Sequence, residues 1–70
     1  MKVMVNELTV ELFEGARVRN ALLKYFTLEN LDRALLTDDL DVEDIYGHLL
    51  DLDAPLTDGQ SITFRFPESL

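Results

Sequence analysis

Apolar and polar residues alternate twice at the start of this chain. Val3 and Val5 alternate with Lys2 and Met4, and Leu8, Val10 and Leu12 alternate with Thr9 and Glu11. A period of two places one set of side chains on each face of a strand, so strands are predicted at about 2–5 and 8–12. Asn6-Glu7 lies between them, and Asn tolerates the positive φ of a tight hairpin turn. The two strands are therefore expected to pair antiparallel. Val3, Val5, Leu8, Val10 and Leu12 share one face; Lys2, Met4, Thr9 and Glu11 share the other.

After Glu14-Gly15 the period changes. Val18, Ala21, Leu22 and Tyr25 fall at i, i+3, i+4 and i+7, with Phe26 beside them, which predicts a helix over 17–26 with one apolar stripe. No Ser, Thr or Asp stands directly before it, so a side-chain N-cap is missing. Leu28, Leu31 and Leu35 keep helical spacing, and Glu29 with Arg33 is a favourable i, i+4 pair. Residues 27–40 are thus expected as a short second helix or a packed loop. Val42–Tyr46, Gly47-His48 and Leu49–Leu52 read as a second short hairpin turning at Gly47. Pro55 cannot continue a central strand, and Asp58-Gly59 marks a turn. Ile62, Phe64 and Phe66 then alternate with Ser61, Thr63 and Arg65 in a last strand that Pro67 ends. The order ββ-α-ββ predicts an α+β fold, one helix lying across one side of a mixed sheet. The last strand carries the largest apolar side chains. It is expected mid-sheet, parallel to the first, under a helix packed on Val3, Val5, Ile62 and Phe64.

Seventy residues allow one domain, 1–70, which buries roughly 60% of its unfolded surface. With no cysteine, there is no disulfide or thiolate metal site to staple it, and the apolar core must suffice. The N-terminus meets acid early and does not read as a signal peptide, and no apolar run reaches bilayer-spanning length. A cytoplasmic protein is expected. Charge is unevenly spread. Eight of 14 acids lie between Asp38 and Asp58 without a Lys or Arg among them, and the other six balance the six bases, so the whole formal charge of −8 belongs to this segment. Such a field repels nucleic acid and anionic membrane and steers a basic partner. Charge runs are ordinarily solvated faces that keep a protein soluble. Self-repulsion among these acids should make mild acid or added salt stabilising.

The run Val10-Glu11-Leu12-Phe13-Glu14-Gly15-Ala16-Arg17-Val18 resembles the strand-turn-helix entry of the MoaD/ThiS sulfur-carrier family, ubiquitin-like β-grasp proteins of molybdopterin and thiamin synthesis. Leu52-Asp53-Ala54-Pro55-Leu56-Thr57-Asp58-Gly59-Gln60-Ser61-Ile62-Thr63-Phe64 is the more specific match: an acid, Pro-Leu, an acid-Gly turn, then an apolar strand. The resemblance spans nearly the full length and is loose between 27 and 46. It implies a β-grasp fold and a partner that is an adenylating enzyme of the ubiquitin-activating type or a cofactor-synthesis enzyme. The family ends in Gly-Gly, whose carboxylate becomes a thiocarboxylate inside a narrow channel. Glycine suits that passage because it has no Cβ. Here the tail reads Phe66-Pro67-Glu68-Ser69-Leu70. A noncovalent protein-binding module is therefore expected. A genuine sulfur carrier with a truncated or variant tail is the alternative, and a regulatory TGS-like module binding a ligand or RNA is a further one that the net charge disfavours.

Other chemistry finds few residues. His48 is the lone histidine, in an expected turn, and Ser61 and Ser69 have no base near them in the expected fold. The acidic segment does not fit the EF-hand spacing. No enzyme activity, cofactor or metal site is expected. The remaining candidate is the sheet face away from the helix together with the tail: Lys2, Met4, Thr63 and Arg65, followed by Phe66, Pro67 and Leu70. Met and Arg are favoured in such contacts, and Met4 and Arg65 are the expected centre.

Overall fold

The computed structural model describes residues 1–66. Its elements are β1 (Lys2–Val5), β2 (Leu8–Glu11), α1 (Val18–Leu28), a single 3₁₀ turn (Arg33–Leu35), β3 (Asp41–Asp44) and β4 (Ser61–Arg65). The strands form one sheet in the order β2-β1-β4-β3. β1 pairs antiparallel with β2 and parallel with β4, and β3 pairs antiparallel with β4. This is the mixed sheet and single helix of a β-grasp fold, with the last strand in the middle as the alternation required.

Asn6 and Glu7 turn the first hairpin with φ of 47° and 72°. Val3 faces Val10 and Val5 faces Leu8 across it. The side chains of Val3, Val5 and Val10 are buried with those of Ile62 and Phe64 under the α1 residues Val18, Ala21, Leu22 and Phe26. Phe26 is fully buried, and its ring lies 5.7 Å from that of Phe64.

The start of α1 is capped by backbone rather than by a side chain. The Val18 and Arg19 N–H groups donate to the carbonyls of Ala54 and Leu52 at 3.0 and 2.8 Å. The Asn20 N–H closes on the Arg17 carbonyl, and Asn20 Oδ1 accepts from the Arg17 N–H at 2.8 Å. The first-turn donors that a Ser or Asp would serve are thus held by residues 52–54. Leu56, buried nearby, ties the same segment to Ala16.

Two sequence expectations change, and one open alternative is closed. The helix runs to Leu28, one half-turn beyond 26, and stops where Asn30 takes φ 56°. The Leu31 N–H donates to Phe26 O and the Asn30 N–H to Thr27 O, a Schellman closure that seats half-buried Leu31 on the core. Residues 27–40 therefore hold the end of α1 and one 3₁₀ turn, not a second helix, and the Glu29–Arg33 pair does not form. Lastly, Leu49–Leu52 is not a strand. β3 ends at Asp44 because its carboxylate captures the Tyr46 and His48 N–H groups at 2.9 and 3.0 Å. Beyond Gly47 (φ 81°) the chain touches β3 through the Glu43–Leu49 bridge and the Leu50 N–H to Val42 O bond. No helix among the described residues is long and apolar enough to cross a membrane.

Candidate functional site: the open face of the sheet

α1 covers one side of the sheet; the other side is uncovered. Cross-strand partners share a face, so the pairings define it row by row. Lys2 faces Glu11, and Met4 faces Thr9 on one side and Ser61 on the other. Thr63 faces Glu43, and Arg65 faces Asp41. Lys2, Met4, Thr63 and Arg65 are all exposed on this side, which brings those four expected residues onto one surface. Arg65 Nη2 is 3.9 Å from Glu43 Oε1, a long and exposed pair.

Phe66 departs from the group. It follows the alternation of Ile62 and Phe64 and stacks on the helix side, 5.5 Å from the Phe64 ring and 6.1 Å from Phe26. Pro67 and Leu70 lie outside the described residues.

The open face also holds residues that the alternation argument had not placed there. The Glu43–Leu49 bridge puts Leu49 on the open side, beside the β3 edge. Ile45, the first residue past β3, shares a groove with Ser61, the β4 partner of Met4. Ile45, Leu49 and Tyr46 are 69%, 73% and 77% exposed, and Met4 38%. Ile45, Tyr46 and Ser61 line an open groove of about 370 Å³ whose far wall is the Asp58-Gly59 turn. Part of the signal was available: β3 alternates Val42 in and Glu43 out, and of adjacent Leu49 and Leu50 only one can face the core.

Polar groups around this face are anchored. The Asp58 carboxylate accepts the Lys2 N–H at 2.7 Å, and the Gly59 N–H donates to Lys2 O at 2.7 Å, so the Asp-Gly turn is pinned to the start of β1. The His48 backbone N–H, with that of Tyr46 and the nearby imidazole, holds the Asp44 carboxyl below its ordinary value, against a smaller opposing effect of burial. His48 Nδ1 is 3.5 Å from Asp44 Oδ2, with the ring largely exposed. Asp53 pairs with Arg19 at 2.9 Å on the helix side. Asp44, Asp53 and Asp58, and more loosely Glu43 through Arg65, therefore have partners within the fold.

Among the described residues no three His, Cys, Asp or Glu side chains gather as a metal site, and no buried side-chain polar atom lacks a hydrogen-bond partner. What this surface offers chemically is contact: aliphatic side chains on a shallow polar floor with carboxylates at its edge. No protein-family model and no curated protein matches the chain.

Proposed function

We propose that this protein is a small ubiquitin-like, sulfur-carrier-like module that works by noncovalent binding of another protein through the open face of its sheet. One observation carries the reading. Met4 and Leu49 stand exposed on the side of the sheet away from α1, and exposed Ile45 lines the groove that reaches Ser61, the partner of Met4. An aliphatic cluster set in a polar rim is the anatomy of a protein contact, in which buried apolar anchors contribute most of the affinity. Thr63, Lys2 and Arg65 supply the polar surround. The resemblance of residues 52–64 to sulfur carriers supports a partner of the adenylating or cofactor-synthesis type.

A photo-crosslinking amino acid tests this in cells. Placed at Thr63, on the open face, it is expected to give a discrete protein adduct. Placed at Lys24, exposed on α1, it is expected to give none. Adducts from Lys24 with none from Thr63 would assign recognition to the helix side and overturn the reading.

A further inference from the structure

Ile45, Tyr46 and Leu49 stand within the one segment that carries the net charge. The run from Asp38 to Asp58 holds eight carboxylates and no Lys or Arg. Folding keeps several of them at the apolar cluster. Glu43 is bridged to Leu49, Asp44 and Asp58 line the groove together with Ile45 and Tyr46, and Asp41 continues the β3 edge. Of the open-face cations, Lys2 on β1 faces Glu11, and Arg65 on β4 alone reaches this edge, at 3.9 Å from Glu43. One distant Arg65 does not balance these carboxylates, so a partner that brings its own positive charge covers the cluster at less desolvation cost than a neutral or acidic one.

We infer that the cluster at the β3 end of the open face docks a cationic amphipathic protein segment, one that presents aliphatic side chains to Ile45, Tyr46 and Leu49 and Lys or Arg to the flanking carboxylates. This rests on the open-face reading and names the partner's chemistry. A second copy of this chain does not fit, since it would set acid against acid. Nucleic acid and anionic lipid are excluded by the same field.

Three synthetic peptides of equal length distinguish the terms: a Leu/Lys amphipathic helix, its Leu/Glu counterpart, and a Ser/Lys peptide of matched charge. Each is titrated into the isotope-labelled full chain and followed by amide shifts. The Leu/Lys peptide is expected to shift amides within 43–49 and 58–61. It should bind at least about tenfold more tightly than Ser/Lys, a free-energy gap of about 1.4 kcal/mol, while Leu/Glu should not bind. The double variant Ile45→Ser/Leu49→Ser, which keeps every charge, should lose about that factor for Leu/Lys; its own spectrum reports whether it is folded. Equal affinity for Ser/Lys, unchanged affinity of the double variant, or shifts confined to other surfaces would overturn the inference. Binding of Leu/Glu at the same amides would overturn the charge requirement and leave the docking face standing. Crosslinking from α1 instead of Thr63 would remove the face itself, so the two failures read differently.

Discussion

Single side chains in this protein close gaps that regular structure leaves open. Asn6 turns the first hairpin and also reaches the neighbouring strand. Its Oδ1 accepts the Phe64 N–H at 2.9 Å, and its Nδ2 donates to Phe64 O at 3.4 Å, prolonging the β1–β4 ladder by one residue. Asn6→Gly keeps the positive φ and removes that bond, so it should cost about 1 kcal/mol or somewhat more in urea unfolding, because a half-buried backbone pair is left unserved. Asn6→Ala adds turn strain and should cost more than Asn6→Gly. Equal stability of all three proteins would show that the bond is idle. Asp44 acts at the same scale. Its carboxyl is held below the ordinary value by the His48 and Tyr46 N–H groups, so its contribution is complete above its unfolded pKa and disappears as pH falls through the folded one. This opposes the stabilisation by acid that charge density alone suggests. In Asp44→Ala the melting temperature should be lower at neutral pH, and its gap to the native protein should shrink once the pH drops below about 4. A gap that is constant down to acid pH would contradict the assignment.

At the scale of elements, local pattern was a sufficient guide wherever it agreed with tertiary contacts. The first hairpin, the α1 stripe and the β4 alternation are all legible because each has a single apolar face with a clear period. The helix start is legible to within one residue, but its cap is not, because the cap is the carbonyls of Leu52 and Ala54, more than thirty residues away in sequence. Arg17→Asp, a change that adds about 1 kcal/mol to an uncapped helix, should therefore bring no gain here. It also removes the Arg17 Nη1 bond to Asp53 O. A clear rise in the urea midpoint would mean that the segment 52–54 does not cap α1. The helix end is signalled by Asn30, the usual substitute for Gly at a left-handed C′ position, whereas the leucine spacing of 27–40 fits a second helix and a packed loop equally. The second hairpin failed for a chemical reason. Asp44 binds two following N–H groups, and that side-chain turn outcompetes further pairing. The exposure of Ile45 and Leu49 is not legible in the sequence, because it follows from the Asp44 turn that ends β3 and from the Glu43–Leu49 bridge.

Over the whole molecule, a small core and a lopsided charge set the balance. Phe26 is packed among Phe64 and Phe66 at the centre of the apolar cluster. Phe26→Ala should cost about 3–5 kcal/mol, enough to leave a domain of this size largely unfolded at room temperature. A cooperative melt near the native temperature would refute that place for Phe26. Asp38, Asp39, Asp41 and Asp51 are exposed and unpaired among the described residues, so added salt should raise the melting temperature by screening their repulsion. Against this background, exposed aliphatic side chains on the β3 side of the open face add nothing to the fold, and partner contact is the use we propose for them. The most direct measurement is the crosslink yield from Thr63 in the Ile45→Ser/Leu49→Ser background, taken alongside urea unfolding. An unchanged unfolding midpoint with the adduct lost is the outcome the account predicts, and an adduct retained at full yield in a folded protein would contradict it.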